Sequence, residues 1–347
     1  MVLEDGSSFE GRSFGFDGSL CGEVVFNTGM VGYPEAMTDP SYKGQILVLT
    51  YPLIGNYGVP DDHPQAGLSA AFESESIHIA GLVVSSYSPH YSHWNASRSL
   101  ADWLKAYQVP ALEGIDTRAL TKRLTQKGTM PGKLLVSQED LQFHDPNTDN
   151  LVSLVSPKRP LRHEGGKKRI VLIDCGTKHG IIRSLLDRGL TVIRVPWDYN
   201  FLLEDFDGVV ISNGPGDPKM CSETVTHVRK AMERHSTIFG ICLGHQILAL
   251  AAGADTYKLK FGHRGQNQPC IELATKRCYI TSQNHGYAVD VQTLPADWRP
   301  WFTNANDGTN EGIRHCSRPF MSVQFHPEAA PGPVDTNFLF DEFLGSL

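Results

Sequence analysis

The stretch Thr237-Ile238-Phe239-Gly240-Ile241-Cys242-Leu243-Gly244-His245-Gln246-Ile247-Leu248-Ala249-Leu250 decides how the chain is read. The apolar run Thr237-Ile238-Phe239 enters Gly240-Ile241-Cys242-Leu243-Gly244, and a helix-like segment leaves it from Gln246. A G-x-Cys-x-G sequence between a buried strand and a helix has the pattern of a nucleophile elbow. Its glycines leave room for a strained turn that exposes the central side chain and aims nearby backbone N–H groups at it. Cys242 is therefore the first candidate nucleophile. A buried cysteine standing alone is more often a small hydrophobe than a reagent, so the motif needs partners.

Phe320-Met321-Ser322-Val323-Gln324-Phe325-His326-Pro327-Glu328 supplies them: a strand-like run ends in His-Pro-Glu. In extended backbone, side chains two apart share a face, so the carboxylate of Glu328 can sit beside the imidazole of His326. That gives a base and its orienter. A free thiol, with a pKa of about 8.5, is mostly protonated at neutral pH, and a neighbouring imidazole lets it attack. The third group fixes the tautomer and stabilises the imidazolium. The chain order Cys, His, Glu argues against an α/β-hydrolase, where the acid precedes the histidine.

Around these motifs, Arg169–Asp174, Thr191–Val195, Gly208–Ser212 and Thr237–Ile241 read as buried strands, with helical segments at Gly180–Arg188 and Glu223–Arg234 between them. This alternation predicts an α/β fold with a doubly wound, mostly parallel sheet in the C-terminal part. Ligand sites of such sheets lie at the carboxyl ends of strands, where Cys242 and the turn Asn213-Gly214-Pro215-Gly216 both fall. The N-terminal part reads as α+β, with strands at Glu23–Phe26 and Gln45–Thr50, a helix over Ser97–Tyr107, and a helix over Thr117–Gln126 capped by Asp116. Breakers mixed with charge over 145–168 mark a linker between domains at 1–150 and 168–347.

Gly240–Gln246, His326-Pro327-Glu328 and Ser212-Asn213-Gly214-Pro215-Gly216-Asp217-Pro218 resemble a class I, triad-type glutamine amidotransferase. Further segments are more specific: Val31–Tyr42, Thr50–Gly58, Gly114-Ile115-Asp116-Thr117-Arg118 and Ser282-Gln283-Asn284-His285-Gly286-Tyr287 resemble the glutaminase (small) subunit of carbamoyl-phosphate synthetase. The resemblance covers nearly the whole chain. It implies a glutaminase in which Cys242 attacks glutamine, His326 acts as acid and base, and backbone N–H groups of Leu243 and Gly214 hold the oxyanion. It also implies glutamine contacts at Ser41, Gly214, Gly216, Leu243, Gln246, Asn284, Gly286 and Tyr287. Some relatives have Phe at the last position, so the Tyr287 hydroxyl is expected to be dispensable. No metal and no cofactor are expected in this chain, with ATP, Mg and bicarbonate used by a partner synthetase subunit or fused synthetase domain. Two readings follow: an active glutaminase feeding ammonia to that partner, or a catalytically silent scaffold of an ammonia-using synthetase. Cys242, His326 and Glu328 together favour the first.

Composition fits an enzyme of two domains: 347 residues with a net charge of −7. The balance of charge, without a dense basic face, speaks against nucleic acid as a partner. Seven cysteines at 21, 175, 221, 242, 270, 278 and 316 form no CxxC pair, which suits a reducing compartment. No apolar run approaches the ~20 residues of a membrane helix, and the acidic start is neither signal nor transit peptide. Cytoplasm is the expected location, or the mitochondrial matrix if a presequence was removed. The wording Asn304–Gly312 looks like the fused eukaryotic synthetases of the pyrimidine or urea type, so the chain reads as a separate subunit or as the leading part of a longer polypeptide.

Overall fold

The structure is a computed structural model that describes residues 1–347 except 66, 137–140 and 235. It divides into two compact units, Met1–Thr148 and Asp149–Leu347.

The first unit is built on a seven-stranded sheet. Its strands are β1 (Val2–Leu3), β2 (Arg12–Ser13), β3 (Leu20–Asn27), β4 (Gln45–Leu49), β5 (Gly81–Val83), β6 (Ala111–Glu113) and β7 (Met130–Leu134), in the order β1-β7-β3-β4-β5-β6-β2. The four central strands, β3 to β6, run parallel, and antiparallel strands close the edges. Central parallel strands are apolar on both faces. Accordingly Val25, Leu47, Leu49 and Leu82 enter one core with Trp103 and Leu104 of helix α2 (Leu100–Ala106), while Val24, Ile46, Val48 and Val83 enter another with Leu120 and Leu124 of helix α3 (Thr117–Lys127). Asp116 caps α3 as expected, accepting the N–H of Ala119 at 2.9 Å. The helix expected from Ser97 starts later. Ala96–Arg98 is a short strand, and the Ser99 hydroxyl accepts the Asp102 N–H at 3.1 Å, which sets the helix start after it.

The second unit holds a ten-stranded sheet: β8 (Leu161–His163), β9 (Arg169–Asp174), β10 (Thr191–Pro196), β11 (Gly208–Ile211), β12 (Thr237–Ile241), β13 (Asp255–Glu272), β14 (Cys278–Asp290), β15 (Trp298–Asn304), β16 (Asn310–His315) and β17 (Phe320–Val323). The order is β8-β10-β9-β11-β12-β17-β16-β15-β13-β14. Strands β10, β9, β11, β12 and β17 form the expected parallel layer. The sheet continues as an antiparallel extension, β16 to β14, which carries the Asn284–Tyr287 segment. Segment 149–167 is more than a linker: Leu151 and Val152 are buried, and β8 pairs antiparallel with β10 at the sheet edge.

Helices cover both faces of the parallel layer. Val171, Ile173, Val209, Ile211 and Ile238 pack with Val228 and Ala231 of helix α4 (Ser222–Glu233) and Ile247 and Leu248 of helix α5 (Leu243–Ala252). On the opposite face Phe239 meets Phe340 and Phe343 of helix α6 (Leu339–Gly345), at ring-centroid distances of 5.8 and 5.7 Å.

Where β12 turns into α5, the two glycines of the elbow are explained by backbone packing. A Cβ on Gly240 would lie 2.5 Å from the Gly244 carbonyl oxygen, and one on Gly244 would lie 2.1 Å from the carbonyl oxygen of Ile211 on the neighbouring strand. Neither neighbour is a flexible side chain that could swing aside. Gly244→Ala should therefore destabilise the second unit by about 3 kcal/mol or more, beyond ordinary overpacking, seen as a lowered midpoint in urea unfolding. A midpoint equal to wild type would contradict this packing.

Candidate active site

The elbow places Cys242 between strand and helix at φ 55° and ψ −104°, a backbone conformation that non-glycine residues rarely adopt. Its N–H donates to the Val323 carbonyl at 2.9 Å, and its own carbonyl accepts the N–H of His245 at 3.1 Å. The turn is thus tied both to β17 and to the first turn of α5. Cys242 is 2 % exposed, and its Sγ lies 3.7 Å from the Asn284 carbonyl oxygen on β14.

Because β12 and β17 are adjacent and parallel, with Gly240 paired to Ser322 and Ile241 to Val323, they reach the same end of the sheet together. Beyond β17 the chain pairs once more, the His326 N–H donating to Ser282 at 2.9 Å, and then turns at Ala329, whose φ is 57°. This delivers His326 and Glu328 to the elbow, with His326 Nδ1 2.6 Å from Glu328 Oε1. The expected orientation of base and acid is therefore present. Among the described residues Nε2 of His326 has no hydrogen-bond partner.

A fourth group belongs to this cluster. Lys178, at the start of the helix His179–Leu186, is 3 % exposed, and its Nζ lies 3.1 Å from the same Glu328 Oε1 while also donating to the Ala329 carbonyl. Burial by itself would raise the Glu328 pKa, but Lys178 and then His326 hold the carboxyl well below its usual range. Burial would likewise disfavour a charged His326, yet the facing carboxylate and the sulfur of Cys242 outweigh it, Lys178 opposing, and raise the ring above its ordinary value. The sequence reading missed Lys178. One signal for it was available: it lies just beyond the carboxyl end of β9, the same edge of the sheet as Cys242.

The loop that carries Lys178 is fixed by a second buried ion pair. Asp174 Oδ1 accepts the N–H groups of Gly176 and Thr177 at 2.7 and 2.8 Å, while its Oδ2 pairs with Arg194. Asn213 Oδ1 accepts the Lys178 N–H at 3.0 Å, which joins this loop to the turn bearing Gly214. Gly214 itself is pressed between the loop and the elbow: a Cβ there would lie 2.1 Å from the Cys175 carbonyl oxygen and 2.8 Å from a Leu243 methyl. The turn bearing Gly214 is thus packed against the side chain of Leu243, the residue that follows Cys242.

Gly216 follows in the same turn at φ +82°, against the side chain of Leu151. Gln246 is buried with its side-chain nitrogen committed to the Tyr287 carbonyl at 2.8 Å and to Gln324 at 3.0 Å. Its amide nitrogen thereby anchors the segment of β14 in which Asn284 pairs with Arg264 and Tyr287 with Lys258, with Gly286 between them in the chain. Ser41 belongs to the first unit, where it is 7 % exposed and its N–H is held by Asp39 at 2.9 Å.

His263, His285 and Glu311 form a buried group whose ligand atoms lie within 4.8 Å of one another. Burial by itself would lower the His263 pKa, but Glu311, 3.3 Å from Nδ1, and Asp307, 2.8 Å from Nε2, raise it. His245 is buried and held neutral, its pKa lowered to about 3 by desolvation.

Comparison with known proteins follows the same division of the chain. The family profile for glutamine amidotransferase class-I matches residues 171–346, and that for the carbamoyl-phosphate synthase small chain, CPSase domain, matches residues 1–134. Multifunctional protein CAD of Squalus acanthias is 57% identical over 351 residues, covering 99% of this chain and 16% of that protein. Multifunctional protein pyr-3 of Neurospora crassa is 52% identical over 384 residues, covering all of this chain and 21% of that protein. The chain therefore spans about a fifth or less of these multifunctional relatives. The arginine-specific carbamoyl phosphate synthase small chain of Neosartorya fischeri is 51% identical over 358 residues, covering all of this chain and 79% of that one. With the elbow, the His-Glu pair and both family profiles in register, the chain belongs to the carbamoyl-phosphate synthase small-chain family, its C-terminal part being a class-I glutamine amidotransferase domain.

Proposed function

We propose that the chain hydrolyses L-glutamine to glutamate and ammonia and delivers the ammonia to a carbamoyl-phosphate-forming synthetase, in pyrimidine or arginine biosynthesis. The observation that carries this reading is the constellation at the sheet edge: a cysteine in a strained elbow, and beyond the adjacent strand a histidine bonded at 2.6 Å to a buried carboxylate. In this reaction Cys242 gives its proton to His326 and its sulfur attacks the side-chain amide carbon. The oxyanion that forms is met by the N–H groups of Leu243 and Gly214. His326 returns the proton to the leaving nitrogen, ammonia departs, and a glutamyl thioester remains. His326 then takes a proton from water, which attacks the thioester and frees glutamate. Glu328 keeps the ring oriented and supports its charge throughout.

Ser41, Gly216, Asn284, Gly286 and Tyr287 are proposed as glutamine contacts, with Gln246 acting through the Tyr287 backbone as well as through its free amide oxygen. Class-I amidotransferase domains need no cofactor. ATP, Mg and bicarbonate are assigned to the synthetase, either a large subunit or a domain fused to this chain. The first unit, Met1–Thr148, is assigned to docking that partner and shielding ammonia, since free ammonia in neutral water becomes non-nucleophilic ammonium. A cytoplasmic setting is supported by cysteines that are all free.

Cys242→Ala should abolish both glutaminase activity and stoichiometric labelling by a glutamine-mimicking electrophile, and substantial hydrolysis by this variant would exclude Cys242 as nucleophile. His326→Asn should lower kcat by about four orders of magnitude and Glu328→Gln by less, glutamine binding surviving in both; near-normal turnover by His326→Asn would remove it from the mechanism.

Lys178 adds a pH signature. A carboxyl with a lowered folded pKa stabilises the native site above its unfolded pKa, about 4.3, and that contribution is lost as pH falls through the folded pKa. Lys178 is the largest lowering influence on Glu328, so Lys178→Met should move the acid limb of the pH profile for kcat upward by about one unit. An acid limb in the same place would show that the ammonium group does not control the carboxylate.

Coupling is tested by steady-state glutaminase kinetics with and without the synthetase, ATP and bicarbonate. A rise in kcat/KM on assembly is expected, through alignment of the site on docking; an unchanged value with an assembly-competent partner would refute coupling and leave the hydrolytic chemistry standing.

A further inference from the structure

At the amino ends of β12 and β17, the opposite end of the sheet from Cys242, lies a cavity of about 350 Å³. Thr237 and Phe320 begin those strands and line it, together with Arg299, Arg314 and Arg318. Its charge is out of keeping with a chain of net charge −7. Arg299 and Arg314 stand directly opposite one another on the antiparallel strands β15 and β16. Like charges in that position are destabilising unless something of opposite sign lies between or beside them.

Among the described residues, one of the three guanidinium groups has an ion-pair partner. Arg314 pairs with Glu342 at 2.5 Å and its guanidinium lies 4.2 Å from the centroid of the Trp301 ring, so it is fixed in place. The exposed Arg318 donates through its guanidinium to the Met232 carbonyl, at 3.2 Å, and neither it nor the exposed Arg299 has an ion-pair partner among the described residues. The loop that bears Arg318 is itself pinned: His315 Nδ1 accepts the N–H groups of Ser317 and Arg318 at 3.1 and 3.0 Å, and its Nε2 donates to Asp297 at 3.0 Å. Two uncompensated guanidinium forks therefore flank a third that is already oriented, around a concavity at the small end of the range for small-molecule sites. Arginine forks match phosphate oxygens in bidentate fashion. A concavity of this size suits a compact ligand better than a protein or nucleic-acid surface.

We propose that this cavity binds a small anion carrying a phosphate or polyphosphate group, gripped by Arg299 and Arg318 against the fixed Arg314. Such a group comes either as an inorganic phosphate chain or as part of a nucleotide. Isothermal titration of the full chain at low ionic strength, with pyrophosphate, with ATP in the absence of Mg, and with sodium chloride matched for ionic strength, tests it. Saturable binding of pyrophosphate or ATP, absent with chloride, is expected. Arg299→Gln and Arg318→Gln should each weaken it about tenfold or more, in line with the loss of a charge-assisted hydrogen bond, and Arg299→Lys should keep part of it. Equal affinities for the two ligands would identify the phosphate chain as what is recognised, and tighter ATP binding would identify a nucleotide; either supports the site. Absence of saturable binding to both, or binding undiminished in the folded Arg299→Gln, Arg318→Gln double variant, would overturn it.

Discussion

The structure turns on the burial of one carboxylate. A side chain such as Glu328, withdrawn from water, would take up a proton unless positive charge meets it, because the effective penalty for burying an ion is several kcal/mol. Here a single oxygen, Oε1, receives both His326 and Lys178. The remainder of the site can be understood as what is needed to bring those two groups to one atom. Lys178 requires the loop after β9, which Asp174 holds through two backbone N–H groups and its own pairing with Arg194. His326 requires the extension beyond β17 and its bridge to Ser282. Removing any of these supports leaves a charge in an apolar interior without its counterpart.

The parallel layer accomplishes the rest through its geometry. Strands in parallel register end at the same level, so the segments that follow the neighbouring strands β9, β11 and β12 reach one edge with the Lys178 loop, the Gly214 turn and Cys242. The glycines mark where backbones meet closely: Gly214 against Cys175, and Gly244 against Ile211. Small residues at these crossings are a packing requirement before they are a chemical one. The antiparallel extension then closes the site from the other side, with Gln246 fastening it to α5 through the Tyr287 carbonyl.

What could be read from the sequence follows from the range of the interactions concerned. The elbow and the His-Pro-Glu run are local patterns whose side-chain directions are set by strand periodicity, so Cys242, His326 and Glu328 were legible. So were the strands of the parallel layer, which are short continuous apolar runs, and the Asp116 cap, which acts over three residues. Lys178 was overlooked: its place beyond the end of β9 was a weak signal, and the partner that gives it meaning lies 150 residues away. The antiparallel half of the sheet was also hidden, since β13 to β16 mix polar and apolar residues and owe their pairing to long-range register. Gln246 has a further role that its motif position does not show: its amide nitrogen is bonded to the Tyr287 carbonyl and to Gln324, 41 and 78 residues away. Ser99 displaced the expected start of α2 because one hydroxyl decided the boundary against a weaker periodic signal.

Cys242 and the segment of His326 are neighbours by virtue of the ladder between β12 and β17, while the chain that links them travels out through α5, the antiparallel extension and back. That excursion touches the pair again through side contacts at Ser282 and Asn284, and α5 through Tyr287. The Leu273–Arg277 turn at its far tip is mostly exposed, so a chain opened there would carry Cys242 and His326 on separate fragments whose shared seam is the β12–β17 ladder. The domain thus has the layout of two halves that meet through lateral strand pairing. For the same reason, growth or shrinkage of that tip in the course of evolution is mechanically insulated from the chemistry.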